Sequence, residues 1–185
     1  MTDSSTLVAL LAQRSAKLGH FTLSSGKQSS FYIDARLTTM SPDGLSIIGS
    51  LGLSVLRSTD WNIDAVGGLT LGADPISYAI SYASAGSDHP LQAFTVRKEP
   101  KSHGTGRLIE GPLNSGDRVA VIEDVITSGN SALRAIAALR NAGVFVAGVL
   151  ALVDREEGGR EAIEESEVGV IALTTATEIM DILRV

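Results

Sequence analysis

The segment Val119–Ser131, VAVIEDVITSGNS, constrains the fold more than any other stretch of this chain. Its first four residues, Val119, Ala120, Val121 and Ile122, are apolar without alternation. A strand of that kind is buried on both faces, which requires helices above and below its sheet. Glu123 and Asp124 follow at the expected strand exit, and then a turn of small residues, Thr127-Ser128-Gly129-Asn130-Ser131. The turn leads into Ala132–Ala142, ALRAIAALRNA, whose spacing and residue types predict a helix. Amides at a helix start and the helix dipole can receive a phosphate, while the two acids accept hydrogen bonds from sugar hydroxyls. The same hydroxyl and amide side chains also serve as ordinary helix caps, so both readings stand at this point.

The rest of the chain alternates in the same manner. Thr6–Leu18 reads as an amphipathic helix ending at Gly19, and Phe21–Leu37 as a strand pair or extended segment around a Ser-Gly turn. Ser41-Pro42-Asp43 starts a helix to about Arg57. A short strand at Ile63–Gly68, a turn with Gly67-Gly68 and a helix near Pro75–Ala85 follow, then a strand at Leu91–Arg97. Lys98–Gly111 reads as a charged, glycine-interrupted loop. After the central segment come strands at Val144–Val153 and Val168–Leu173, with an acidic helix near Gly159–Glu165 between them and a helical turn at Thr177–Val185. Strands alternating with helices argue an α/β fold, a parallel sheet flanked by helices with right-handed crossovers. Ligands of such sheets lie at the carboxyl ends of strands, where Arg97, Glu123, Asp124, Asp154 and Arg155 fall.

Composition narrows the chemistry. A chain of 185 residues with 44% hydrophobic and 19% charged residues is long enough for one well-buried domain and too apolar for disorder. A formal charge of −6 disfavours a nucleic-acid surface, so an anionic substrate must meet locally placed cations. The absence of cysteine removes disulfides, thiolate metal sites and a cysteine nucleophile. No stretch reaches the length of a bilayer span and no basic region precedes the N-terminal apolar patch, so the expected location is cytoplasmic, with no membrane partner. Arg97, Lys98, Lys101 and His103, bracketed by Gly104 and Gly106, make one cation-rich loop. It fits a flap closing over a polyanion, and equally a solvated charge run. Lys27 can reach an anion, and Phe31 and Tyr32 can wall or stack on a planar base, or simply pack in a core.

Four stretches in register resemble the orotate phosphoribosyltransferases of the type I phosphoribosyltransferase family: Phe21–Asp34 (FTLSSGKQSSFYID), Val96–Gly106 (VRKEPKSHGTG), Val119–Ser131 and Leu152–Gly159 (LVDREEGG). Together they run through nearly the whole chain. The resemblance implies one phosphoribosyltransferase domain over residues 1–185, with a small hood formed by about 1–40 and 170–185. It implies an enzyme that moves the 5-phosphoribosyl group from phosphoribosyl diphosphate (PRPP) to orotate, giving orotidine 5′-phosphate and diphosphate in UMP biosynthesis. In that picture Arg97, Lys98, Lys101, His103 and the run Glu123, Asp124, Val125, Ile126, Thr127, Ser128, Gly129, Asn130 and Ser131 bind PRPP. Lys101, Glu123 and Asp124 are the catalytic residues, and Thr127, Arg155, Lys27, Phe31 and Tyr32 contact orotate. Mg²⁺ travels with PRPP rather than on protein ligands. Gly67–Asp74 resembles the diphosphate-binding loop, where a metal could also reach Asp74. The basic loop 97–106 serves the neighbouring subunit's site, which implies a homodimer.

Two positions depart from the pattern. Some members carry lysine where Ser24 stands, and some a Tyr-Lys pair where Leu71-Gly72 stands. Lys27 compensates the first loss of charge, and the sequence offers no candidate for the second. Two other readings share the fold: transfer to a different base such as a purine, and a PRPP-sensing regulator without chemistry. Retention of the basic loop, a negative net charge and no room for a second domain argue against the regulator.

Overall fold

A computed structural model describes residues 3–22, 28–100 and 108–184. Helix α1 (Asp3–Arg14) leads into a hairpin of β1 (Ala16–Thr22) and β2 (Gln28–Ile33), followed by a short α2 (Arg36–Thr39) and a long α3 (Pro42–Arg57). Then come β3 (Ala65–Leu69), α4 (Ala73–Ser84), β4 (Gln92–Val96), β5 (Ile109–Glu110), β6 (Arg118–Ile126), α5 (Asn130–Asn141), β7 (Phe145–Asp154), α6 (Gly159–Glu164), β8 (Val170–Thr175) and α7 (Ala176–Leu183). Six strands form one sheet in the order β5-β4-β3-β6-β7-β8. All its neighbours run parallel except the short β5, which lies antiparallel to β4 at the edge.

The central strand is buried on both faces, as its composition demands. Ala120 and Ile122 join a core with α1, α3, α4 and α7, while Val119 and Val121 join a second core with α5 and α6. Alternate side chains of one strand therefore seal two helical layers onto one sheet. Helix α3 begins where the sequence says it should. Ser41 caps it by accepting from the Gly44 amide at 3.2 Å, Pro42 occupies the first turn, and Asp43 follows beside the helix's positive end.

Several expected boundaries move, each because strand pairing outcompetes local propensity. The first helix stops at Arg14 rather than Leu18, since Ala16, Lys17 and Leu18 pair with Ile33, Tyr32 and Phe31. Gly67 and Gly68 are not a turn: pairing with β4 on one side and β6 on the other draws Gly67 into β3, and β4 carries Gly68 with it. The acidic pair is not at a strand exit either. Strand β6 runs on to Ile126, because its ladder with β7 continues through Glu123, Val125 and Ile126. Residues 170–175 belong to the sheet as β8, so the C-terminal contribution to the layer over the sheet starts with α7, which packs on α1. Part of the expected charged loop forms β5, through Thr95–Glu110 and Val96–Ile109 pairs.

Candidate active site

The carboxyl ends of β3, β4, β6 and β7 meet along one edge of the sheet, and most of the residues singled out from sequence stand there. Between β6 and α5 the chain turns through Thr127, Ser128 and Gly129. Gly129 has φ 76°, a left-handed conformation that glycine adopts freely. A side chain there would also press on the Gly159 carbonyl and Ile163. Thr127, Ser128, Asn130 and Ser131 are exposed, and the N-cap of α5 is Gly129, which has no side chain to cap the first turn. Orphan amides and the positive end of a 12-residue helix thus open onto the carboxyl edge. Asn130 and Ser131 belong to that first turn, not to the preceding loop.

Glu123 and Asp124 differ in environment. Glu123 is only 8% exposed, and burial, reinforced by the adjacent Asp124 charge and a hydrogen bond between the carboxyls, pushes it up to about 9. Asp124 is half-buried, accepts from the Val125 amide at 2.9 Å and lies directly against Gly72. A Cβ at Gly72 would overlap the Asp124 carboxylate, so a larger residue there would require that side chain to shift. Val125 and Ile126 point into the two cores, so only their backbone remains for a ligand.

The basic stretch is anchored at both ends. The Arg97 amide donates to the Leu108 carbonyl at 2.8 Å, and its guanidinium lies 3.6 Å from Glu110. Arg134 on α5 donates to the Lys98 carbonyl at 2.7 Å, tying the loop base to the helix after the Thr127–Gly129 turn. Lys101 and His103 lie outside the described residues, as does Lys27.

Arg155 stands at the end of β7, nearly buried. It pairs with Glu157 at 2.8 Å, donates to Ser29 Oγ and the Phe31 carbonyl at 3.3 Å each, and sits 5.4 Å over the Phe31 ring. Its sequence neighbour Asp154 pairs instead with Arg160 at 2.8 Å. Phe31 and Tyr32 do not share a wall. Adjacent strand residues point to opposite faces: Phe31 is 4% exposed in the core beneath Arg155, while Tyr32 stacks on Phe21 with ring centroids 5.4 Å apart.

One residue of this edge escaped the sequence reading. Arg36 forks onto Asp34 at 2.8 and 2.9 Å, and that hydrogen-bonded pairing, with further pull from Tyr32 and Asp124, holds it above the usual arginine range. The only sequence signal was its place at the end of FYIDAR. Asp74 does not present a free carboxylate: its two oxygens accept from Thr70 and Thr95 at 2.7 and 2.8 Å. Among the described residues, no group of three or more His, Asp or Glu side chains is arranged to hold a metal ion. No helix among them is long and apolar enough to cross a membrane.

No protein-family model matches the chain. Individual proteins do. An orotate phosphoribosyltransferase of Aquifex aeolicus is 48% identical over 183 residues, covering 97% of this chain and 99% of the relative. The Mycobacterium tuberculosis H37Rv orotate phosphoribosyltransferase, crystallised with Fe(III) dicitrate, superposes with a TM-score of 0.83 at 40% identity over 96% of this chain and 98% of that one. The same enzyme in complex with 5-phospho-α-D-ribosyl 1-diphosphate gives 0.80 at 37% identity, with the same coverage.

Proposed function

The chain belongs to the orotate phosphoribosyltransferase family, and from that premise we propose how its residues divide the transfer of phosphoribose among themselves. The protein is a pentosyltransferase that converts orotate and PRPP to orotidine 5′-phosphate and diphosphate in pyrimidine biosynthesis. The observation that carries the division of roles is the exposed Thr127–Ser131 turn, opening uncapped α5 amides beside the acidic pair. The 5-phosphate binds there, on backbone N–H groups and small hydroxyls. Asp124 brings the one negative charge toward the anomeric carbon as oxocarbenium character develops, and neutral Glu123 can donate as well as accept at a ribose hydroxyl.

The diphosphate lies toward Thr70–Gly72 and the basic stretch. Arg97 and Lys98 flank it, with Lys101 and His103 arriving from the loop to neutralise the leaving group and exclude water. Arg36 supplies a cation near Asp124, a partial substitute for the lysine absent at Gly72. Mg²⁺ enters on the diphosphate, where it offsets phosphate charge. Orotate lies toward Thr127 and Arg155, whose planar fork matches a carboxylate once Glu157 yields its place. Tyr32, half-exposed, is better placed than Phe31 to meet the ring. A cytoplasmic location completes the proposal.

Turnover tests this directly. Purified protein with PRPP and Mg²⁺ should consume orotate, read by its ultraviolet absorbance, and should leave adenine and hypoxanthine untouched. Lys101→Ala should cut kcat by about a hundredfold or more, the size of losing one preorganised charge contact at the transition state. Unchanged orotate absorbance would overturn the activity, and near-normal turnover in the variant would remove Lys101 from the catalytic set.

A further inference from the structure

Asp74 sits in the first turn of α4 and fastens three elements together. Its Oδ2 accepts from Thr70 Oγ1 at 2.7 Å, at the end of β3, and its Oδ1 accepts from Thr95 Oγ1 at 2.8 Å, near the end of β4. Thr95 Oγ1 also lies 2.9 Å from the Tyr78 hydroxyl. A hydroxyl carries a single proton, and the proton of Thr95 goes to the carboxylate. Tyr78 must therefore donate to Thr95, which makes a directed chain from Tyr78 through Thr95 to Asp74. Each link polarises the next, and those ending on a carboxylate are the strong kind.

The loop held in this way is short and crowded. The Thr70 amide donates to the Val96 carbonyl at 2.8 Å, one residue before Arg97, and Gly72 lies against Asp124. Its backbone is thus fixed at β4 on one side and at the acidic pair on the other. With each Asp74 oxygen accepting from a protein hydroxyl, that carboxylate ties the loop to β4. Resting on the reading that diphosphate binds along Thr70–Gly72, we infer that Asp74 is a positioning residue for the diphosphate half of PRPP, acting through Thr70 and Thr95. Its reach ends there, because Arg155 stands at the end of β7, with β6 between that strand and β3.

The effect should therefore be one-sided. Asp74→Ala should raise the KM for PRPP and the dissociation constant for magnesium diphosphate, measured by calorimetry, by about tenfold, the scale of losing charge-assisted hydrogen bonds. The KM for orotate should stay within about twofold. Thr95→Val should reproduce part of the effect, and Thr95→Ser, which keeps the hydroxyl, should restore wild-type values. The calorimetric arm judges Asp74 without turnover, whereas a wild-type protein that ignores orotate would sink only the assigned activity. Unchanged diphosphate affinity in Asp74→Ala and Thr95→Val, or an equal rise in both Michaelis constants, would overturn the inference.

Discussion

A carboxyl group taken out of water ionises less readily, and at Glu123 the neighbouring Asp124 charge adds to that cost. The sequence shows two adjacent acids and suggests two negative charges; burial leaves one. Stability carries the signature. The ordinary glutamate value is 4.5 and the folded value about 9, so between them the folded state keeps a proton that the unfolded chain has released. Unfolding stability from this group is then highest below the lower value, falls by about 1.4 kcal/mol per pH unit through the window, and levels off above the upper one. Glu123→Gln has no such slope. The variant should gain on wild type as pH rises, melting several degrees higher near pH 9 with little difference near pH 5, while losing PRPP turnover. Melting curves across that range check it, and a gap independent of pH would mean that Glu123 is charged in the fold.

At the scale of elements, most helices and strands are readable because hydrophobic period and caps agree with the final packing. The α3 helix is the clearest instance, with Ser41, Pro42 and Asp43 at its start and Arg57 in its last turn. The last helix, α7, depends on its cap more heavily, since eight residues are too few to hold a helix unaided. Thr175 accepts from the Glu178 amide at 3.2 Å, and Glu178 accepts in return from the Thr175 amide at 2.9 Å. Thr175→Ala should cost about 1 kcal/mol, seen as a lower urea midpoint, and should speed amide exchange in α1, which packs on α7. An unchanged midpoint would show that α1 packing alone holds α7. What local pattern misses at this scale is pairing: β1 and the far half of β6 form because a partner strand lies alongside them.

At the scale of the whole molecule, we propose that the site is completed by a partner copy. The chain carries a formal charge of −6, yet four cationic or potentially cationic groups crowd into residues 97–103. On the face of α4 that continues from Leu71, Tyr78 and Tyr82 are exposed, Tyr82 at 85%. Aromatic residues displayed one turn apart suit a two-fold contact. If the basic loop serves the other subunit, Lys101→Ala and Asp124→Asn proteins, each nearly inactive, should complement when mixed and allowed to exchange. Half the dimers are then mixed, each with one intact site, so the mixture should recover about a quarter of wild-type turnover. No recovery, with exchange verified by light scattering or tagged subunits, would place the loop over its own site.

The sequence by itself determined the layered α/β plan, the small-residue turn before α5 and the chemical inventory of the edge, because continuous burial, turn composition and residue type are local properties. Tertiary structure alone decided which of those residues work together. It neutralised Glu123 by burying it, turned Phe31 inward and Tyr32 outward, set Glu157 on Arg155, forked Arg36 onto Asp34 and closed Asp74 between two threonines. The burial of Glu123, the Arg155 contact with Phe31 and the Thr95–Asp74 hydrogen bond join segments far apart in the chain, and the free energy of ionisation or hydrogen bonding is set by that distance and by excluded water.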